Sequence, residues 1–335
     1  MIAIPITASA TDEALKDIKK AQGIAGLLEL RLDFIRDINN KNLERLLSGT
    51  AKKVIVTDRK NRIGLIREAV RLDADFIDMD ISAGKKAIRD IIKAAHRNKT
   101  RIIVSFHNFK KTDKREILKR YSLIKKLCPD IIKIASFADS IDNNLIIFSL
   151  IKRAKKENKR IIALCMGEKG GISRIISPFI GSEWTYGSLK HGKESAPGQI
   201  PADMLKSLYR IDRLKKPKIF GLVGNPVRHS KGIIIHNKAF AKLKLDRVYV
   251  NFLVDNLKSF IDNYKPIISG LSVTIPFKRD IIRYLDDIDP VAKKIGAVNT
   301  VIKRDGKLIG YNTDVTGAIK AIESKTSIKG RRVLM

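Results

Sequence analysis

The chain of 335 residues exceeds one average domain, so its length predicts two domains. Hydrophobic residues make up 44% and charged residues 30%, and no apolar run approaches the ~18 residues of a membrane helix. Without an export signal at the amino terminus, we expect a cytoplasmic protein with no membrane partner. Two distant cysteines, Cys128 and Cys165, predict buried thiols and neither a disulfide framework nor a metal site.

The formal net charge of +32 suits a nucleic-acid or anionic-surface binder. The basic residues are scattered in short pairs without aromatic interleaving, however, so we expect no nucleic-acid partner. A positive field also attracts a small anionic substrate. The sequence leaves open whether the chain forms a homodimer.

Short β-rich runs alternate with amphipathic stretches in the first part of the chain, which predicts βαβ units. The eight strand candidates are residues 2–7, 26–33, 53–59, 76–81, 101–107, 131–137, 160–166 and 182–188. Polar residues gather at the carboxyl ends of many of them. This favours a (β/α)8 TIM barrel over an open doubly wound sheet, because all those ends surround one mouth in a barrel.

We expect the barrel over residues 1–206, a linker over 207–218 and a smaller α/β domain over 219–329. The RRVLM segment at 331–335 predicts one more strand, so residues 330–335 are interpreted as the start of a truncated nucleotide-binding domain. The second domain is predicted to contain strands near 219–223, 247–252, 268–275 and 297–302, a hairpin through Asp305 and Gly306, and a helix after Asp314.

Lys133 lies among isoleucines in a strand, where we expect burial to lower its pKa and supply the neutral amine for imine formation. A lysine that snorkels at a strand end is the alternative. His107 ends the preceding strand and suits a proton carrier beside Lys133.

Further polar residues predict a binding site for an anion with hydroxyl groups. Glu29, Arg31 and Asp33 share one side of a strand, and with them Arg59 and Arg174 suit a carboxylate clamp. Ser195 and Gln199 belong to a Gly/Pro loop that can fold over a ligand.

Six motifs follow one another along the first part of the chain: E-x-R-x-D (29–33), T-x-R (57–59), S-x-H-x-F (105–109), K-I-A (133–135), M-G-x-x-G-x-x-S-R (166–174) and S-A-P-G-Q (195–199). In this order, they resemble the motifs of the type I 3-dehydroquinate dehydratases along residues 1–205. The resemblance implies that Lys133 condenses with the ring ketone of 3-dehydroquinate and that His107 removes the adjacent proton and assists loss of water, with no cofactor. It implies substrate contacts for Glu29, Arg31, Arg59, Arg174, Ser195 and Gln199.

One position departs from this family. The family's glutamate four residues after the T-x-R arginine, which orients the histidine, is replaced by Ile63. Asp78 and Asp80 are the candidate substitutes, and the sequence does not decide between them.

Four later segments resemble the substrate-binding domain of shikimate dehydrogenase over about residues 219–329: GNPVRHSK, GLSVTIPFK, IGAVNT and GYNTDVTG. The resemblance implies a catalytic pair, Lys278 and Asp314. It also implies that Ser230, Thr274 and Asn299 hold shikimate or dehydroshikimate. Gly232 replaces a serine of that family. NADP is expected only for a full-length dehydrogenase half, since no G-x-G-x-x-G turn occurs in the sequence.

The two resemblances together imply dehydration of 3-dehydroquinate to 3-dehydroshikimate, a step of the shikimate pathway, by a barrel fused to an incomplete shikimate dehydrogenase. A Schiff-base aldolase also needs a buried lysine, but the ordered motifs disfavour it. A degenerate, noncatalytic chain is the other alternative, suggested by Ile63 and Gly232.

Overall fold

The computed structural model describes residues 1–332, so part of the strand predicted at 331–335 lies outside the described residues. The chain divides into two compact units, one ending at Pro217 and the other starting at Lys218. Among the described residues, no helix is both long and apolar enough to span a bilayer.

The first unit alternates strands and helices as predicted. Its strands are β1 (Ile2–Ile6), β2 (Leu27–Arg31), β3 (Lys53–Thr57), β4 (Phe76–Asp80), β5 (Arg101–Asn108), β6 (Ile131–Phe137), β7 (Ile161–Met166), β8 (Thr185–Ser188) and β9 (Ile200–Pro201). Its helices are α1 (Thr11–Gln22), α2 (Asn40–Ser48), α3 (Ile63–Arg71), α4 (Lys85–Arg97), α5 (Lys114–Lys125), α6 (Asn143–Lys156), α7 (Gly171–Ile180) and α8 (Ala202–Ser207), with a 3-10 turn at Ile81–Ala83. Each of the eight predicted strands is present, and β9 was not predicted.

The strands curl into a TIM-like parallel sheet in the order β7-β6-β5-β4-β3-β2-β1-β8-β9, which confirms the predicted fold. Between β7 and β8 the described residues form no ladder. The Glu183 N–H donates instead to Ile161 O at 2.9 Å, just before β8 begins. One side chain from each of the first seven strands packs with Trp184 and Tyr186 in the interior: Ala3, Leu27, Ile55, Phe76, Ile103, Ile131 and Ile162. The interior is thus a packed core with its open mouth at the carboxyl ends of the strands.

One local expectation differs from the structure. Cys165 is buried, but Cys128 is exposed in a turn with φ of 54°, so the prediction of two buried thiols is wrong for Cys128. Tyr209 and Ile211, in the expected linker, are buried. Their apolar side chains anchor this segment in the first unit.

The second unit is a six-stranded mixed sheet in the order β11-β10-β12-β14-β15-β13. Its strands are β10 (Lys218–Gly224), β11 (Arg247–Leu253), β12 (Ile268–Val273), β13 (Asp287–Ile288), β14 (Thr300–Arg304) and β15 (Lys307–Tyr311). Its helices are α9 (Gly232–Lys242), α10 (Leu257–Tyr264), α11 (Pro290–Ile295) and α12 (Asp314–Glu323), with a 3-10 turn at Asp280–Tyr284. The predicted hairpin joins β14 to β15 through Asp305 and Gly306, which have positive φ.

Close packing of β8 against α8 depends on a glycine. A Cβ atom on Gly187 would lie 2.8 Å from Ala202 Cα and 2.9 Å from Leu205 Cδ1. We expect Gly187→Ala to lower the free energy of unfolding by about 1–3 kcal/mol through overpacking. The measurement is urea denaturation followed by fluorescence of Trp184, which is the sole tryptophan and therefore reports on the first unit.

Gly64→Ala is the matched control, because its Cβ meets no atom within 4 Å and Gly64 lies in the first turn of α3. We expect this control to stabilise the unit by up to about 1 kcal/mol. Equal stability of the Gly187→Ala variant and the parent would show that β8 and α8 do not pack this closely.

Candidate functional site

A cavity of about 440 Å³ opens at the mouth of the barrel. All eight residues predicted for the first domain line it: Glu29, Arg31, Arg59, His107, Lys133, Arg174, Ser195 and Gln199. They belong to different strands and loops, and the barrel brings them to one place.

Lys133 is buried at the base of the cavity between two carboxylates. Its Nζ lies 2.7 Å from Asp78 Oδ2 and 3.4 Å from Glu29 Oε1. Burial acts to lower the pKa of Lys133, but the charges of Asp78 and Glu29 outweigh it and the pKa is raised. The prediction that Lys133 is held as a neutral amine is therefore wrong, because the sequence did not reveal the two carboxylates beside it. The resting side chain is an ammonium.

The carboxylates of Glu29 and Asp78 each accept a hydrogen bond from a hydroxyl group of the sequence motifs. Thr57 Oγ1 donates to Glu29 Oε1 at 2.9 Å, and Ser105 Oγ donates to Asp78 Oδ1 at 2.6 Å. Burial raises the pKa of Asp78, yet Arg59 and Lys133 hold it well below the ordinary value. The threonine of T-x-R and the serine of S-x-H thus orient the anions around Lys133.

His107 has a defined tautomer. Its Nε2 lies 3.4 Å from Arg59 Nη2, and its Nδ1 lies 3.2 Å from Asp80 Oδ2. Because a guanidinium can only donate, Nε2 is the acceptor and Nδ1 carries the proton toward Asp80. Burial and the Arg59 charge lower the pKa of His107 to about 4, against the opposing effect of Asp80.

Asp80 supplies a carboxylate contact to the imidazole of His107. Its Oδ1 accepts the Ser82 N–H at 3.0 Å and caps the 3-10 turn. This bond holds the carboxylate so that its other oxygen, Oδ2, contacts His107. Of the two candidates that the sequence left open, Asp80 contacts the imidazole and Asp78 contacts Lys133.

The arginines of the cavity differ in how they are neutralised. Arg31 forms a bidentate pair with Asp33 at 2.9 and 2.7 Å. Arg174 is 1% exposed, donates from Nη2 to Pro197 O at 3.0 Å, and has no partner for Nε. No carboxylate pairs with Arg174 in the described part of the chain, and burial lowers its pKa to about 10. A buried cation of this kind favours binding of an anion.

Segment 189–199 carries Ser195 and Gln199, which bond to each other. The Ser195 N–H donates to Gln199 Oε1 at 2.7 Å, and Gln199 Nε2 donates to Ser195 Oγ at 3.1 Å. Gly198 has φ of +74°, and a Cβ there would lie 2.3 Å from Gly167 O, so the close approach of this segment requires glycine.

Tyr186 lines the cavity but was not predicted as a site residue from the sequence. Its ring centroid lies 4.2 Å from Lys133 Nζ, and burial raises the pKa of its hydroxyl to about 12. The signal available was its position in β8, where it packs in the interior two residues after Trp184.

In the second unit, three of the five predicted residues meet. Lys278 Nζ lies 2.6 Å from Asp314 Oδ2, and Asn299 Nδ2 donates to Asp314 Oδ1 at 2.7 Å. The bond from Lys278 lowers the pKa of Asp314. Ser230 Oγ instead accepts the Gly232 N–H, and the Thr274 N–H donates to Val223 O. Roles for Ser230 and Thr274 therefore stay predictions.

Two family descriptions match the chain. Residues 2–216 match the type I 3-dehydroquinase family, and residues 222–301 match the shikimate dehydrogenase substrate binding domain.

Individual relatives extend this similarity. The chain is 36% identical over 342 residues to a bifunctional 3-dehydroquinate dehydratase/shikimate dehydrogenase, chloroplastic, from Arabidopsis thaliana, covering 96% of this chain and 56% of that protein. It is 30% identical over 336 residues to the shikimate biosynthesis protein AroDE of Chlamydia pneumoniae, covering 97% and 68%.

Among solved structures, a type I 3-dehydroquinate dehydratase from Clostridium difficile with covalently modified comenic acid has 26% identity and a TM-score of 0.57. That similarity covers 63% of this chain and 91% of the other. The chain belongs to the type I 3-dehydroquinase family, and its second unit contains a shikimate dehydrogenase substrate-binding domain.

Proposed function

We propose that the first unit dehydrates 3-dehydroquinate to 3-dehydroshikimate through a Schiff base on Lys133. The observation that carries the proposal is the buried Lys133 ammonium between Asp78 and Glu29, in the same cavity as Arg174. In this proposal Lys133 supplies the amine for the ketone, and Arg174 offers a buried cation to the substrate's carboxylate.

The raised pKa of Lys133 is compatible with imine formation. An ammonium and a ketone combine to give an iminium and one water, so the nitrogen carries one positive charge before and after the reaction. The carboxylates of Asp78 and Glu29 therefore face a cation in both states. Only the attack itself needs a neutral amine. The proton of the ammonium moves to the adjacent carboxylate of Asp78 or Glu29 and is returned when water leaves.

His107 then acts as the proton carrier. The iminium withdraws electrons from the adjacent carbon, and the unprotonated Nε2 of His107, which faces Arg59 in the resting site, takes the proton there. The resulting imidazolium gives this proton to the leaving hydroxyl, which departs as water. Hydrolysis of the iminium releases 3-dehydroshikimate and restores Lys133. Asp80 serves as a positioning residue that keeps the Nδ1–H tautomer.

For the second unit we propose binding of shikimate or 3-dehydroshikimate, with Lys278 and Asp314 as the proton-carrying pair and Ser230, Thr274 and Asn299 as ligands. The 2.6 Å contact of Lys278 with Asp314 supports this proposal. The 335 residues contain no G-x-G-x-x-G turn, so we derive no hydride-transfer step from this chain. A cytoplasmic location stays a prediction.

Lys133→Met and His107→Ala test the proposed dehydration. With 3-dehydroquinate as substrate, we expect Lys133→Met to abolish the rise in ultraviolet absorbance of the conjugated enone, because no imine can form. His107→Ala should lower kcat by about 10²–10⁴-fold, the usual contribution of a general acid–base group. An inactive parent chain, or a Lys133→Met variant of undiminished kcat, would contradict the proposal.

The pH profile tests the assignment of His107. A base must be neutral to accept a proton, and the pKa of His107 is lowered to about 4. We therefore expect kcat/KM to stay constant as the pH falls from 7.5 to about 5.5 and to decline only as it approaches 4. A decline centred near the ordinary histidine pKa of about 6.5 would show that the base is not the buried His107.

Asp80→Asn tests the positioning role. We expect kcat to fall by about 10²-fold, because an amide no longer enforces the Nδ1–H tautomer. Asp80 raises the pKa of His107, so the Asp80→Asn substitution should move the acidic limb of the profile to lower pH, not to higher pH. An upward shift would contradict the assignment.

Asp130→Asn is the matched control for Asp80→Asn. Asp130 also contacts a histidine, His96 at 3.5 Å, and accepts a main-chain N–H, from Ile102 at 2.7 Å. It lies just before the amino-terminal end of β6, away from the cavity residues. We expect its kcat to match the parent's.

A further inference from the structure

We propose that Lys193 is a positioning residue of the first site, which holds segment 189–199 over the cavity through ion pairs with α1. This inference rests on the proposed dehydratase function. Segment 189–199 carries Ser195 and Gln199, whereas Lys193 itself does not line the cavity. Its action is therefore exerted through the conformation of the segment.

The ion pairs join the loop after β8 to the first helix. Lys193 Nζ lies 2.8 Å from Glu13 Oε1 and 3.3 Å from Asp17 Oδ2, one helical turn further along α1. The Asp17 side chain is only 10% exposed and that of Lys193 only 26%. The second oxygen of Glu13 accepts the N–H and Oγ–H of Ser9, just after β1. Glu13 thereby connects the loops that follow the neighbouring strands β1 and β8.

A second anchor holds the other end of the same segment. Pro197 O accepts hydrogen bonds from Gly167 N at 3.1 Å and from Arg174 Nη2 at 3.0 Å. Ser195 lies between the two anchors, Lys193 and Pro197, and its hydrogen-bond partner Gln199 lies two residues after Pro197. The Arg174 anchor is shared with the cavity, but the Lys193 anchor is built from side chains outside it.

This arrangement predicts an effect on substrate binding rather than on chemistry. A segment already ordered in the free protein loses less conformational entropy when a ligand binds. Releasing Lys193 leaves Lys133, His107 and Asp80 untouched, since none of their contacts involves segment 189–199. Loss of the Lys193 ion pairs should therefore raise KM and leave kcat unchanged.

The experiment compares Lys193→Met, Lys193→Arg and Lys125→Met in the full chain with 3-dehydroquinate. Lys125→Met is the matched control, because Lys125 forms a similar ion pair, 2.9 Å from Glu157, at the end of α5. We expect Lys193→Met to raise KM about five-fold, the scale of partly exposed ion pairs, with kcat within about two-fold of the parent. Lys193→Arg should restore KM, and Lys125→Met should leave it unchanged.

A second readout separates this inference from the proposed activity. Without substrate, brief exposure to trypsin followed by mass spectrometry measures cleavage after the exposed Lys190. We expect cleavage there to be several-fold faster in Lys193→Met than in the parent or Lys125→Met.

The outcomes are distinct. An inactive parent whose Lys193→Met variant is still cleaved faster overturns the dehydratase proposal and supports the anchoring of the segment. Unchanged KM together with unchanged cleavage overturns the role of Lys193. A fall in kcat with KM unchanged also overturns it, because it places Lys193 in the chemistry.

Discussion

The site depends on one buried cation, the Lys133 ammonium, and on the carboxylates that keep it charged. Glu29, Thr57, Asp78, Ser105 and Lys133 come from β2, β3, β4, β5 and β6, which are consecutive neighbours in the sheet. Removal of one partner from such a cluster leaves a buried charge unpaired, which is costly. The cluster therefore both requires the curled sheet and constrains the order of its strands.

The remaining charges of the cavity follow from this arrangement. Arg59 contacts Asp78 and Asp80 and lowers the pKa of His107, while Arg31 is paired with Asp33. Arg174 is buried without a carboxylate partner among the described residues. The cavity thus combines the amine of Lys133, the neutral imidazole of His107 and the unpaired cation of Arg174. Imine-based dehydration of an anionic ketone needs an amine nucleophile, a base and a cation for the carboxylate.

Much of this arrangement could be predicted from the sequence, because period-2 apolar runs and ordered motifs are local signals. They located eight strands within a few residues, and the eight residues they predicted for the first site all line the cavity. Burial of Lys133 was predicted as well, but the direction of its pKa was not, since that depends on Asp78 and Glu29, 55 and 104 residues away.

Other features have no local signal. The contact of Asp80 with His107 depends on how β4 ends in a capped 3-10 turn. The contact of Lys193 with Glu13 joins residues 180 positions apart. Strand β9 has two residues, too few for any periodicity. The Asp80 and Lys193 contacts depend on proximity that the curled sheet creates.

Trapping the imine tests the central role of Lys133 most directly. The full chain is incubated with 3-dehydroquinate and sodium borohydride, which reduces an iminium to a stable secondary amine, and the digest is searched by mass spectrometry. We expect a covalent adduct on Lys133 alone, and none on the Lys133→Met variant. A folded parent chain without an adduct, or with an adduct on other lysines only, would contradict the proposed Schiff-base chemistry.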